Sequence, residues 1–387
     1  LWFLAAFFLF FLPVSGETIL VLPFFNESKD AGLDWIGESV AASVRESLAS
    51  QGLLAVERED RLEAFRRHSI RPDAVLTHAS IIKVGATLDA SQVIFGRFTL
   101  TPGKEEKTRG TLRIVAQILD LRRTKKGPEF LETGPIEDLA ALQTRLGWQA
   151  LQFLAPRTAP SEREFLAARP PVRVDAVENY IRGLLAPSID QKHRLFTAAA
   201  RLDERFSQPR FQLGLIYWNK KEYRIAADWL EGVTPEHSRY REAQFLLGLC
   251  RYYLGDYFAA EQRFRLVAKS VPLNEVWNNL GAAQMRLGMA EARESFQKAL
   301  EGDDADPDYH FNLAYALWKA ERFEEAAAGF RAVLDRARED SEATAFLGRC
   351  LKREGPRRGD PRTEGRARLK HDYQEQAYRQ LQAELAK

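Results

Sequence analysis

Apolar and polar positions change rhythm along the chain. In the first part, apolar residues come in short runs. Thr18-Ile19-Leu20-Val21-Leu22-Pro23-Phe24-Phe25 is continuous, as in a strand buried on both faces. A polar turn at Asn26-Glu27-Ser28-Lys29-Asp30 follows. From Asp34 to Gln51 the period lengthens to that of a helix, with Trp35, Ile36, Val40, Val44 and Leu48 on one face and Gly52 as its stop. Leu53 to Val56 predicts a second strand, and further helices open at Asp60 and cover Ser80 to Leu88. Two longer strands, Gln92 to Leu100 and Thr111 to Leu121, flank a charged tip at Gly103 to Gly110. Phe130 to Glu132 predicts a short strand, and Asp138 to Leu154 a closing helix. The expectation for residues 17–155 is an α/β domain, a mixed sheet with flanking helices.

Beyond it the chain repeats. Leu213-Gly214, Leu247-Gly248, Leu280-Gly281, Leu313-Ala314 and Leu347-Gly348 follow one another in steps of 34, 33, 33 and 34 residues. Each complete unit then places an Ala and, four residues on, a large apolar residue: Ala226 and Leu230, Ala260 and Phe264, Ala292 and Phe296, Ala326 and Phe330. Trp277-Asn278-Asn279-Leu280-Gly281 has the opening of the tetratricopeptide (TPR) pattern, which these units resemble. The resemblance implies helical hairpins. The small residue lets the first helix approach the second, the bulky one fills the gap to the next hairpin, and stacking makes the core continuous. Two units depart from the pattern. The Leu213 unit ends early, at Pro235, and the Gly281 unit is shortened at Leu287-Gly288-Met289-Ala290 and lengthened at Gly302 to Asp306. Residues 174–354 are therefore expected to form an all-α TPR solenoid, opened by a degenerate pair at Asp175–Gly183 and Lys192–Leu202. A linker is expected at 156–173, and a basic linker with a last helix at 355–387.

The first domain has a resemblance of its own. Val21-Leu22-Pro23-Phe24-Phe25-Asn26, Leu33-Asp34-Trp35-Ile36-Gly37-Glu38-Ser39, Val56-Glu57-Arg58-Glu59, Val93-Ile94-Phe95-Gly96-Arg97-Phe98 and Leu112 to Asp120 together resemble the TolB amino-terminal-like domain, related in fold to the CsgG and FlgO families. That resemblance implies an α/β sandwich and a role in protein interaction in the bacterial envelope. The TolB β-propeller and the lipid anchor of CsgG-type proteins have no counterpart in these residues. Leu1 to Leu12 is almost unbroken apolar sequence, followed by Pro13-Val14-Ser15-Gly16 and Glu17. This pattern predicts a signal peptide over 1–16 and a periplasmic protein; the run is too short for a ~20-residue membrane span. No basic segment precedes Leu1, which suggests a start further upstream.

Composition narrows the function. A net charge of +2 does not point to nucleic acid. The two cysteines, Cys250 and Cys350, sit in units three steps apart, too far for a disulfide, so two buried free thiols are expected. The six histidines show no ligand spacing, and no nucleophile elbow or phosphate-binding glycine motif occurs. Asp304, Asp306 and Asp308 match the first three positions of a calcium loop, but Tyr309 and Tyr315 stand where it needs Gly and Glu, so a solvated loop is expected instead. No cofactor and no catalysis are expected.

The expectation is a protein-protein interaction scaffold with a protein or peptide partner in the cell envelope. The alternatives are an oligomerising component of an envelope secretion or assembly machine, as in CsgG and FlgO relatives, and an enzyme. By the resemblance to TPR proteins, ligands contact the first helix of each unit at three positions around the anchor. Those positions give Phe211, Leu215 and Trp218; Phe245, Leu249 and Tyr252; Asn278, Ala282 and Met285; and Phe311, Tyr315 and Trp318. A groove this aromatic suits an extended or helical apolar peptide, with Trp218 and Trp318 as anchors. In the last segment Arg349, Lys352, Arg353, Arg357, Arg358, Arg362, Arg366, Arg368 and Lys370 outnumber the acids. Such a segment is either a solvated linker or a patch that attracts anionic membrane or an acidic partner.

Overall fold

The computed structural model describes residues 17–28, 30–71, 74–103, 109–357 and 359–385. The apolar run at 1–12, most of the charged tip near Gly103, and Arg358 lie outside the described residues. The chain divides into two compact units. The first holds the residues up to Pro209 together with Pro235–Ser238 and Gln376–Lys387; the second holds Arg210–Thr234 and Arg239–Glu375.

The first unit is built on a mixed sheet. Its strands are β1 (Thr18–Val21), β2 (Phe25–Asn26), β3 (Leu54–Ala55), β4 (Gln92–Thr101), β5 (Thr111–Asp120) and β6 (Lys125–Pro135). They lie in the order β3-β1-β4-β5-β6, with β2 also on β4. β1 pairs parallel with β3 and β4, whereas β4, β5 and β6 run antiparallel. The expected single first strand is two, because Pro23 has no N–H to give to a ladder. The last strand is far longer than Phe130–Glu132. Its Lys-Lys-Gly-Pro start hides it from a reading of apolar alternation, and an irregularity opposite Ile118 absorbs Gly127-Pro128.

Successive residues of β1 face opposite layers. Ile19 and Val21 pack with Ile36, Val40 and Val44 of α1 (Trp35–Ala49), while Leu20 and Leu22 pack with Phe65 of α2 (Arg58–Arg67) and Ile81 of α3 (His78–Thr87). α4 (Leu139–Leu154) joins the α1 layer through Leu142 and Leu146. Gly37 allows this: α1 runs against the main chain of Phe24, whose N–H donates to the Gly37 carbonyl at 3.1 Å. Between the layers Arg61 clamps both oxygens of Glu38 (2.5 and 2.7 Å) and donates to the Val21 carbonyl, with Arg58 on the same carboxylate at 2.8 Å. Burial works against the charge on Glu38, but the two guanidiniums outweigh it and hold the carboxyl below its usual range.

The expected linker carries a short helix, α5 (Glu162–Ala167), started by a Ser161/Glu164 capping box. α6 (Val174–Leu185) and α7 (Ile189–Leu202) form a hairpin of the repeat type, with Gly183 against the ring of Phe196. Yet Ala176, Val177 and Ile181 of α6 belong to the core of the sheet unit. The contact boundary therefore falls after α7, at Pro209, and not at 156–173.

The hairpins that follow are α8 (Ser207–Asn219) with α9 (Tyr223–Glu231), α10 (Tyr240–Tyr253) with α11 (Tyr257–Ser270), α12 (Asn274–Arg286) with α13 (Ala292–Gly302), and α14 (Pro307–Lys319) with α15 (Phe323–Arg336). α16 (Ser341–Leu351) ends the array and α17 (Glu375–Leu385) is the last helix. A methyl group in place of the Gly214, Gly248 or Gly281 hydrogen would stand 2.6, 2.7 or 2.8 Å from Leu230, Phe264 or Phe296. In the fourth hairpin the small residues are exchanged, with Gly329 of the second helix against Ala314. The turns repeat as well: Lys221, Gly255, Gly288 and Glu321, one in each hairpin, all have φ between 58° and 82°. The Leu213 unit ends early because residues 235–238 leave the array for the first unit. There the Glu46 carboxylate accepts the N–H and hydroxyl of Ser238 at 2.6 and 2.5 Å. Cys250 and Cys350 are free and buried, and burial pushes their thiols up to about 12 and about 11.

Gly248→Leu should overpack α10 against α11 and cost about 1–3 kcal/mol. Phe264→Ala should open a cavity and cost about 3–5 kcal/mol. Thermal unfolding of both variants checks the register; two unchanged transitions would show that these residues are not the contact between the helices.

Candidate functional groove

The first helices of the hairpins, α8, α10, α12, α14 and α16, line one side of the second unit. The described residues of 354–357 and 359–374, which have no helix, run along that side. Within the stretch from Arg366 to Tyr373, Arg368 and Lys370 are held through their main chain. Asn312 of α14 donates from Nδ2 to the Arg368 carbonyl at 2.7 Å, and its Oδ1 accepts the Arg368 N–H at 2.8 Å. Asn279 of α12 treats Lys370 alike, donating to its carbonyl at 2.7 Å and accepting its N–H at 2.8 Å. Asn278 adds a bond to the Arg368 carbonyl at 2.8 Å, and its own Oδ1 accepts from Asn312 at 2.6 Å. All three asparagines are fully buried. The two main-chain grips fall on residues two apart, the interval at which an extended chain turns the same edge to one side.

Charge reinforces the grip. The Arg368 guanidinium reaches Asp308 at 3.1 Å, Asp340 at 2.8 Å and Glu342 at 3.3 Å, and lies 3.7 Å from the centre of the Phe311 ring. The Lys370 ammonium sits 2.7 Å from both Asp306 and Asp308. Arg366 pairs with Glu342. Burial opposes the charge on Asp308 and Asp340, but the hydrogen bonds and charge of Arg368, joined at Asp308 by Lys370, hold both carboxyls below the usual range. Against the same burial, those carboxylates hold Arg368 and Lys370 above theirs. Two of the three aspartates with partial calcium-loop spacing thus face a cation that the chain itself supplies. Asp304 instead offers its carbonyl to His310 and Arg336.

Beyond the charged pair the segment meets aromatic rings. His371 Nε2 is 2.5 Å from the Tyr253 hydroxyl, and its ring lies against Tyr253 and Trp218 with centroids 6.0 and 5.9 Å apart. The Tyr373 ring tilts on Phe245 at 5.2 Å. Leu369 and Ala367 pack, with Tyr252 and Met285, against the cluster of Ala282, Ala292 and Phe296. Upstream, Tyr315 donates to the carbonyl of the buried Thr363 at 2.6 Å, and Trp318 donates from its indole to the Glu354 carbonyl at 2.8 Å.

The positions expected to bind a partner therefore sort into three groups. Asn278, Tyr315, Trp318, Trp218, Phe245, Phe311, Tyr252 and Met285 touch or pack beside the segment. Phe211 and Leu249 are buried, and Leu215 is half-buried. Phe211, Phe245, Phe311 and Trp318 are wholly inaccessible, so Trp318 is no exposed anchor, and truncating it would lower stability. An apolar ligand was expected, but the segment in place is basic. Nor is that segment a solvated linker, because its basic residues face carboxylates of the repeats. The sequence reading passed over Asn279 and Asn312. The signal was there: they stand one step of 33 residues apart, each just before the Leu of its anchor. Polar residues so phased on a buried helix face need hydrogen-bond partners, which here Arg368 and Lys370 supply.

Comparison with known proteins agrees on the repeats. Residues 289–350 match the family profile for the tetratricopeptide repeat. No curated protein sequence matches the chain. Similar solved structures include MamA (41-end) from Desulfovibrio magneticus RS-1, 22% identical, with 41% of this chain and 92% of that one covered and a TM-score of 0.37. Another is YrrB, described as a TPR protein with an unusual peptide-binding site, at 16% identity, 49% and 92% coverage and a TM-score of 0.36. MamA of AMB-1 is 22% identical, with 44% and 97% covered and a TM-score of 0.38.

The docked segment should respond to acid. Burial lowers the His371 pKa, so the docked ring favours its neutral form. A released His371 takes a proton at about 6.5, while the docked one resists it, so docking weakens as pH falls through that value. The depressed Asp308 and Asp340 add a second loss below about 4. NMR titration should find His371 of the full chain protonating at lower pH than in a free peptide spanning Arg366–Tyr373. Identical titrations would mean that the ring is not docked.

Proposed function

We propose that this chain is a non-catalytic interaction scaffold of the bacterial periplasm whose repeat groove holds extended polypeptide. The observation that carries this reading is the paired main-chain grip of Asn279 and Asn312. A side chain that takes both the N–H and the carbonyl of one residue reads polypeptide as such and needs no particular side chain there. The neighbouring carboxylates and rings then select among sequences. Periplasmic location rests on the apolar leader at 1–16, and an envelope role for the first unit rests on the resemblance of its strands to the TolB amino-terminal-like domain. Membrane contact through the basic segment is the weaker reading, because Arg353, Arg362, Arg366, Arg368 and Lys370 already pair with carboxylates of their own chain.

A photo-crosslinking residue placed at Met285 or Leu215 of the full chain, in cells, should trap discrete envelope proteins. The chain itself should fractionate with the periplasm. Crosslinks from the sheet unit alone would move the partner surface there, and a cytoplasmic chain would remove the envelope reading.

A further inference from the structure

The occupant of the groove says what kind of partner the groove fits. Any ligand that uses the two asparagines must present an extended backbone and place two residues, two apart, at Asn312 and Asn279. The side chains of those residues then enter the acidic ends of α14 and α16. At the first position Asp308, Asp340 and Glu342 surround a planar cation whose central carbon also lies over the Phe311 ring. That combination suits a guanidinium, which offers a fork of donors and a stacking face. At the second position Asp306 and Asp308 converge on one point, 2.7 Å away on each side, beside the Tyr309 ring. That suits the compact ammonium of lysine. The next residue meets Tyr253 and Trp218, a slot for a flat ring.

We propose that the groove binds, in trans, extended segments with arginine and lysine two residues apart followed by an aromatic or histidine ring. Residues 366–373, Arg-Ala-Arg-Leu-Lys-His-Asp-Tyr, are the chain's own resident copy of that ligand and keep the groove closed until a partner displaces them. The proposal rests on the reading that the groove is the partner surface, and it adds the partner's chemistry and the gate. Three features make the resident segment a ligand and not a piece of core. It has no helix or sheet of its own, its polar contacts are charge pairs and main-chain bonds that a second peptide can reproduce atom for atom, and the side chains that hold it belong to the repeats. Tethered at both ends, it competes at an effective concentration on the order of millimolar. A free peptide must therefore be tight or abundant, or the resident copy must be weakened.

The test uses the full chain and a labelled peptide of sequence Ala-Arg-Leu-Lys-His-Asp-Tyr, corresponding to residues 367–373, read by fluorescence anisotropy. Wild-type chain should bind it weakly. The double variant Arg368→Ala, Lys370→Ala, which loosens the resident copy and leaves the repeats intact, should bind at least tenfold more tightly. Adding Asn279→Ala and Asn312→Ala to that variant should abolish binding, as should replacing the arginine and lysine of the peptide by alanine. No binding by a double variant that keeps its thermal transition would overturn the proposal.

Should the double variant fail to fold, hydrogen exchange on the wild-type chain decides. The Arg368 and Lys370 amides should open far more readily than that of Val333 in α15. Exchange of all three only through global unfolding would make the segment a fixed strap and sink the idea. Partners trapped from the groove with no competition by the peptide would overturn this inference alone. Peptide binding without any trapped partner would overturn the scaffold reading alone.

Discussion

The structure of the helical half depends on one contact, a small residue of the first helix under a bulky residue of the second. Gly214 and Leu230, Gly248 and Phe264, and Gly281 and Phe296 are instances of it. The contact fixes how closely two helices approach, and its recurrence fixes the interval at which successive first helices present side chains. α12 and α14 both lie close on their second helices, through Gly281 under Phe296 in one and Ala314 against Gly329 in the other, so Asn279 and Asn312 emerge in phase. Two amide side chains in phase can then serve as the edge of a strand and complete the hydrogen bonds of an extended segment that would otherwise bury bare N–H and carbonyl groups. The surface that holds residues 366–373 is thus a by-product of helix packing.

The first unit rests on a different device. Its central strand β1 is covered on both sides, so its two faces are apolar and its ends must be fixed by other means. Glu38 from α1 and Arg61 from α2 meet between the layers, and Arg61 continues to the Val21 carbonyl. A buried pair of this kind adds little net stability over an apolar substitute, but losing one partner is costly. It sets the positions of two helices and one strand relative to each other. Glu38 and Arg58 lie in the stretches that resemble the TolB amino-terminal-like domain and Arg61 lies just beyond them, so those stretches have a local structural role whatever the domain binds.

Much of this was legible in the sequence, and the reasons for the rest are physical. α1, α4, β4 and β5 were evident because their apolar periods are long and their ends carry turn residues. The helical hairpins were evident because the small and bulky positions recur. β6 was missed beyond Phe130–Glu132 because an edge strand needs little apolar alternation and this one opens on Lys125-Lys126-Gly127-Pro128. The boundary after α7 was missed because a hairpin of repeat type, with Gly183 under Phe196, gives no sign of which core its outer face will join. Several of the groove positions chosen by spacing touch residues 366–373. Spacing picked the face of the first helices that residues 366–373 lie against, but aromatic content suggested an apolar ligand and the segment held there is basic. The contacts made by Asn279, Asn312, Asp308 and Asp340 are with residues 28 to 91 positions away. No local pattern reports a contact at that range. What could have been read is complementarity: a run of arginines and lysines in the same chain as phased asparagines and aspartates.

The grip at alternate residues carries one more consequence. Helices α12 and α14 advance the held segment by two residues for each repeat, so for the ligands proposed above the groove would be a ruler as well as a clamp. A segment with the right charges but one residue more between them turns its second cation to the opposite side, away from Asp306 and Asp308. Composition alone would not distinguish such a segment from Arg368-Leu369-Lys370, but reading frame would. Recognition here is metric, and a solenoid built on a constant interval supplies the graduation.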